Sequence, residues 1–259
     1  MKIVANDEVN IRGFDYYLVG VVNKCDVFIN NDFDFDNFYM GKSLRLSPIN
    51  LCPAFFTPEE YGRALIVKRL LGHTLKDKVI IDLGAGNANI LRELIVHKNA
   101  NYTFINTDIT GPWSSEGESL LEVGMSRISK KLNCQVINIE YDFNNDPWPF
   151  EPESVDFIVS CMALHHVNQS NKNIILKSIY ASLKVNGELI VMDFFTQTNE
   201  APRFTRGGGG PKACKGSGEN LGIFCKRAIE IGFVMLDDNG GASLEINKHT
   251  NFFILKKTN

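Results

Sequence analysis

The alternation of apolar and polar positions changes period several times along the 259 residues, and each change predicts an element. Ile11, Phe14, Leu18, Val21 and Val22 recur at helical spacing, which predicts an amphipathic helix over about 8–23. Strict alternation follows at 32–36, where Asp32, Asp34 and Asp36 alternate with Phe33 and Phe35. If that segment is extended, carboxylates lie on one face and rings on the other. Thr57, Pro58 and Glu60 have the order of a helix start, N-cap, first-turn proline and capping glutamate, and the helix runs to about Leu71 before Gly72. Val79, Ile80 and Ile81 are a short apolar run of the kind that becomes a strand buried on both faces. YTFINT (102–107), CQVINIEY (134–141), VDFIVSCMAL (155–164) and ELIVMDF (188–194) predict further strands. Helical patterns stand between them: Ile90, Leu91, Leu94 and Ile95; residues 120–132; residues 171–184; residues 219–231. Two strands near the end, in 232–246 and 251–257, complete the pattern. Strands alternating with helices predict a parallel α/β sheet.

The sharpest chemistry sits where the first of these strands runs into Gly84 and Gly86. Two glycines there allow a tight turn and a close approach of backbone to ligand, and the helix that follows makes half of a nucleotide-binding βαβ unit. A dinucleotide fingerprint needs a third glycine where this chain has Asn89, so a pyrophosphate grip is disfavoured. Asp82, two residues before the first glycine, would repel a phosphate and attract a cation. Asp108, 22 residues past Gly86 at the end of the second strand, suits ribose hydroxyls, a feature shared with NAD enzymes; it also reads as a helix cap or turn residue.

Composition narrows the partners. Hydrophobic content of 44% and charged content of 22% allow a sizeable core, and the net charge of −3 gives no overall basic field for a nucleic-acid backbone. Six scattered cysteines with no C-x-x-C pair, and a start without a signal-peptide core, predict a reduced cytoplasmic protein. No apolar run reaches the length of about 18 residues that a membrane helix needs. No spaced His, Asp and Glu ligand set points to a metal. Residues 1–40 carry seven acids against three bases, with the rings of Phe28, Phe33, Phe35 and Phe38 among them. This segment is either a cover with its acids in water or a lid whose carboxylates and ring faces attract an organic cation. The stretch around Arg203, Arg206, four glycines, Lys212 and Lys215 reads as a mobile surface loop, a lid or a partner contact.

Asp82-Leu83-Gly84-Ala85-Gly86-Asn87-Ala88 resembles the first motif of class I methyltransferases that use S-adenosylmethionine, with Ala88 in place of the last glycine. Asp142-Phe143, the proline and aromatic turn after it, and the strand VDFIVSCMAL follow in that family's usual order. The resemblance implies a doubly wound, seven-stranded Rossmann-like sheet of order 3-2-1-4-5-7-6 in residues 57–259; the helical spacing and the acidic, aromatic stretch before it predict a mostly helical N-terminal lid for substrate recognition in residues 1–56. The resemblance also implies S-adenosyl-L-methionine as cofactor. The residues it places there are Asp82, Gly84, Ala85 and Gly86 in the turn, Asp108 and Ile109 at the ribose, Asp142 and Phe143 at the adenine, and Ser160 and Cys161 at the end of the fourth strand. Asp142 and Phe143 also have a plain reading as a turn aspartate and a core phenylalanine.

Catalytic candidates are His165 and Asp193. His165 fits a general base or a residue packing its loop; Asp193 fits orienting or deprotonating an amine, or capping a loop. The chain lacks the N/D-P-P-aromatic motif of nucleobase N-methyltransferases, having SCMALHH at that point, so base methylation is disfavoured. A finer similarity is to natural-product N-methyltransferases of the plantazolicin type, which methylate an N-terminal arginine amine. On that reading Asp26, Asp32, Asp34 and Asp36 pair with a cationic small-molecule or peptide substrate, and Phe14 and Tyr17 line its pocket. The alternatives are an O-methyltransferase of a small metabolite, a cofactor-binding regulatory protein without turnover and, last, an NAD oxidoreductase.

Overall fold

Residues 8–11, 14–22 and 25–30 form strands, where the helical spacing predicts a helix over about 8–23. β1 (Glu8–Ile11), β2 (Phe14–Val22), β3 (Cys25–Asn30) and β4 (Ala54–Phe56) make a four-stranded sheet in that order, antiparallel except for β4, which runs parallel to β3. Among its described residues the N-terminal segment is strand rather than helix. The sequence FDYYLVGVV is dense in aromatic and β-branched side chains, which fit a pleated strand better than a helix, and Gly20 inside a helix would cost about 1 kcal/mol. The apolar positions matched a 3.6 period only because both periods share several of them. The change has a consequence for the site: positions 14 and 17 share a face of a helix but fall on opposite faces of a strand.

The structure, a computed structural model, describes residues 8–11, 14–22, 25–30, 54–56, 58–97, 100–109, 132–196, 219–236, 244–247 and 250–258. Asp32, Asp34, Asp36, most of the helix expected over 120–132 and nearly all of the loop at 203–220 lie outside them. The chain divides into two compact units, 1–62 with 203–213, and 63–202 with 214–259.

α1 (Pro58–Leu71) leads into the second unit's sheet. Its strands are β5 (Val79–Leu83), β6 (Thr103–Asp108), β7 (Gln135–Glu140), β8 (Val155–Cys161), β9 (Leu183–Thr196), β10 (Glu219–Asn220), β11 (Phe233–Leu236), β12 (Leu244–Asn247) and β13 (Thr250–Lys257). The order is β11-β13-β9-β8-β5-β6-β7, with β13 antiparallel to both neighbours and the rest parallel. Numbered from β5 as the first strand, and leaving aside the short β10 and β12, this is the 3-2-1-4-5-7-6 sheet. α2 (Asn89–His97), α3 (Lys172–Ser182) and α4 (Leu221–Ile231) complete it. Val155 to Ser160 of β8 are buried without a break, as a central parallel strand flanked on both sides requires. Ile81, Leu83, Ile158, Ile179, Leu189, Val191 and Leu255 form the middle of one core, each almost wholly removed from water. At about 2 kcal/mol per large apolar side chain, that core holds the sheet and leaves the strand ends to chemistry.

Charged groups near the amino ends of the strands serve the fold. Asp156 accepts from Lys78 Nζ at 2.8 Å, Lys184 Nζ at 2.7 Å and the Val79 N–H at 3.0 Å. Burial pushes this carboxyl up, but the two ammonium groups and the amide hold it below its ordinary value. Glu188, nearly buried, takes a two-pronged contact from Arg69 at 2.7 and 2.9 Å. The carboxyl ends of β5, β6, β7 and β8 carry a different population of polar groups.

Candidate active site

β5 ends in buried apolar residues and turns at once through Gly84 (φ +73°) and Gly86 (φ +50°), conformations that side chains rarely adopt. A Cβ on Gly84 would stand 2.3 Å from the Ala163 Cβ and 3.8 Å from the Phe143 ring, so three segments meet at this residue. A Cβ on Gly86 would meet nothing within 4 Å: its backbone faces open space. Ala88, where the family motif has its last glycine, also has positive φ (+51°), a conformation costing roughly 1 kcal/mol in an alanine. The turn hangs on β6. Thr107 O accepts from both Gly84 N and Ala85 N at 2.9 Å, and Thr107 Oγ1 donates to Asp82 O at 3.0 Å.

Two carboxylates face this turn. Asp108 Oδ2 accepts from Gly86 N at 2.6 Å and Oδ1 from its neighbour Ile109 N at 2.7 Å, which fixes the carboxylate and leaves further lone pairs for a ligand. Burial raises Asp108 above its usual value, and the two N–H groups and the His166 charge oppose that shift. Ile109 beside it is 43% exposed, an apolar surface at the rim. Asp82 is 1% exposed, and its Oδ1, like Asn87 Oδ1 on the same turn, is buried with no hydrogen-bond partner. Burial and the neighbouring Asp108 push Asp82 up to about 8, against a smaller opposing effect of Arg63. Two orphaned acceptor oxygens call for a ligand rich in N–H donors.

The loop after β7 supplies the next wall. Asp142 Oδ1 accepts from Asn144 N at 2.8 Å and Oδ2 from Asn145 Nδ2 at 2.6 Å, while Asp142 N donates to Asp146 at 2.7 Å. Phe143 is half-buried and meets Tyr141 edge-on. Ser160, expected at the cofactor, is fully buried with its hydroxyl 3.4 Å from Leu83 O, where it fastens β8 to β5. Cys161, a free thiol, is half-buried at the end of β8.

Beyond β8 a short 3₁₀ turn, Leu164–His166, holds both histidines. Asp193 on β9 accepts from His165 Nδ1 at 2.6 Å, His165 N at 3.1 Å and Phe194 N at 2.7 Å. Burial pushes Asp193 up, but the His165 ring and the amides prevail and keep it ionised below its ordinary value. The void next to this pair measures about 10 Å³, room for one water molecule. Asp193 thus acts on His165 and is closed to an acceptor. His166 is exposed and stacks on His165 with ring centres 4.0 Å apart.

A protein-family model, described as a methyltransferase domain, matches residues 80–187, the stretch that holds every group above except Arg63, Asp193 and Phe194. This region has the class I methyltransferase fold. Its fold recurs widely. *Burkholderia thailandensis* 1,6-didemethyltoxoflavin-N1-methyltransferase, solved with 1,6-didemethyltoxoflavin and S-adenosylhomocysteine, superposes with a TM-score of 0.55 at 13% identity, over 98% of this chain and 100% of its own. A *Methanosarcina mazei* S-adenosylmethionine-dependent methyltransferase gives 0.54 at 19% identity, over 73% of this chain and 97% of its own. *Haemonchus contortus* phosphoethanolamine N-methyltransferase 2, in complex with S-adenosyl-L-methionine, gives 0.54 at 15%, over 77% and 53%. At these identities the likeness is one of fold. No curated protein sequence matches significantly.

The second unit brings Asp82, Gly84, Ala85, Gly86, Asp108, Ile109 and Phe143 around one turn, with Asp142 next to Phe143. The expected substrate residues Phe14, Tyr17 and Asp26 fall on β2 and β3 of the other unit, of which only the backbone is described. Sequence reasoning passed over Thr107, Asn87, Ala163 and Asn144. Thr107 was detectable as the residue before Asp108, at the point where a strand must support the neighbouring turn. Gly84→Ala is expected to cost about 2 kcal/mol of stability, because the new methyl meets Ala163 and φ is positive, and to weaken cofactor binding about tenfold. Denaturant unfolding and calorimetry read the two effects; lowered stability with unchanged binding would show that the turn does not hold the ligand.

Proposed function

We propose that the protein transfers a methyl group to a nitrogen of a cationic small molecule or peptide, such as an N-terminal arginine amine. The methyl donor is S-adenosylmethionine. When bound, it supplies a sulfonium methyl as electrophile. The observation that carries the assignment of the crevice is the pair of buried, unpartnered acceptors, Asp82 Oδ1 and Asn87 Oδ1, beside a braced Asp108. A phosphate could not sit against Asp82; an ammonium group satisfies both oxygens, and Asp108 is left to accept from the ribose hydroxyls. On this reading Asp142 accepts from the adenine amino group, with Phe143 and Ile109 as apolar neighbours of the ring. The domain's remaining task is alignment of the acceptor lone pair with the methyl at roughly 3 Å, and exclusion of water.

The acceptor follows from charge. Seven acids against three bases in residues 1–40 attract a cation, and Asp26, Asp32, Asp34 and Asp36 are the carboxylates assigned to it. Two proteins of similar fold are named as N-methyltransferases, in keeping with this reading. One observation favours a second reading. Asp193 Oδ1 lies 2.6 Å from His165 Nδ1 and orients the imidazole, and a hydroxyl acceptor needs an oriented base more than a free amine does. Incubation with S-adenosylmethionine and a panel of amines, arginyl peptides and neutral alcohols, read by mass spectrometry, separates the two. The proposal expects a gain of one methylene unit on cationic acceptors alone, and a KM raised by neutralising the four aspartates together. Methylation of neutral hydroxyls would establish the second reading, and an unchanged KM would remove the aspartates from it.

A further inference from the structure

β7 and β8 are not neighbours in the sheet; β6 and β5 lie between them. Their following loops nevertheless meet, at Asn144. Its Nδ2 donates to His166 O at 3.1 Å, its Oδ1 accepts from Asn168 N at 2.7 Å, and its own carbonyl accepts from Asn171 Nδ2 at 3.0 Å. Its N–H meanwhile donates to Asp142 Oδ1 at 2.8 Å. One residue therefore holds the carboxylate assigned to the adenine on one side and the histidine turn on the other. The chemistry selects an amide: His166 O requires a donor and Asn168 N an acceptor, which also fixes the orientation of the side chain. An aspartate would set an anion against a carbonyl, and an alanine would leave both unmade. The same turn is fixed from its other side by Asp193, through His165 N and Nδ1. The Leu164–His166 turn is thus mounted at two points, one of which belongs to the adenine-side loop.

We propose that Asn144 is a positioning residue that couples the adenine-side loop to the His165–His166 turn, so that filling the crevice at Asp142 and Phe143 sets the position of the histidines. This rests on the reading of the crevice as the S-adenosylmethionine site. Three bonds of Asn144, two through its side chain and one to its carbonyl, join the loop after β7 to the loop after β8. The coupling acts on binding and on the turn together.

The test uses the intact chain, S-adenosylhomocysteine as probe, and the five histidines followed by NMR. In the wild type, titration is expected to shift the ring signals of His165 and His166. In Asn144→Ala the affinity is expected to fall about tenfold, and the His165 and His166 responses to disappear at saturating probe. A merely structural asparagine would lower the melting temperature and leave both readouts as in the wild type. Asn144→Asp retains the acceptor for Asn168 N–H and loses the donor to His166 O. It serves should the alanine variant not fold, with an expected loss of about threefold and a weakened His166 response. Affinity within twofold of wild type, or histidine signals that still respond to saturating probe in the alanine variant, would overturn the coupling. A wild type that does not bind the probe at all would instead overturn the crevice reading beneath it.

Discussion

Asp82→Asn is expected to stabilise the ligand-free protein by about 4 kcal/mol near pH 7 while weakening S-adenosylhomocysteine binding by tenfold to a hundredfold. The cause is a carboxyl buried at 1% exposure, next to Asp108, with an oxygen that bonds to nothing. Its folded pKa, about 8, lies above the ordinary 3.8, so between those values the folded chain keeps a proton that the unfolded chain has released. Stability is therefore full below about pH 4 and declines as pH rises towards about 8. Asparagine has no proton to lose, so the decline attributable to this site vanishes in the variant. Binding goes the other way, because the neutral amide cannot pair with the ligand's ammonium as a carboxylate does. Denaturant unfolding of both forms across about pH 5 to 8, with calorimetry alongside, reads both effects. If the wild type's stability does not vary with pH relative to the variant, Asp82 is not the buried acid described.

Asp108→Ala is expected to reduce S-adenosylhomocysteine affinity at least a hundredfold, or about 3 kcal/mol. Two losses combine. The ribose hydroxyls lose their acceptor, and Gly86 N and Ile109 N lose the carboxylate that braces the turn at 2.6 and 2.7 Å. Asp108→Asn keeps an acceptor oxygen and is expected to lose less, about tenfold. A titration in which the alanine variant binds within threefold of wild type would place the ribose elsewhere.

Both predictions concern residues that were legible in the chain, and the reason is local. VII at 79–81 and VDFIVS at 155–160 are buried on both faces, so they read as unbroken apolar runs, and the residues just beyond such strands must lie at the crevice. Asp82, Gly84, Gly86 and Asp108 could be located by counting along one strand–turn–helix unit. The N-terminal strands were not legible in this way. Ile11, Phe14, Leu18 and Val21 satisfy a helical period, and only the density of aromatic and β-branched residues in 14–22 argues for the pleated form that Tyr17 and Ile29 adopt as cross-strand partners. His165 and Asp193 were legible as candidates but not as a pair, since 28 residues separate them and parallel strands bring them together. Asn144 was not legible at all. An asparagine in a turn has a local use in most sequences, and its partners His166 and Asn168 lie on the loop after β8, with two strands between.

Titration calorimetry of the intact chain with S-adenosylhomocysteine tests the central claim most directly. The account predicts saturable one-to-one binding, with heats that vary with the buffer's ionisation enthalpy because Asp82 gives up its proton as the ammonium docks, and no saturable heat with NAD. Absence of binding, or a preference for NAD, would contradict it and leave only the fold standing.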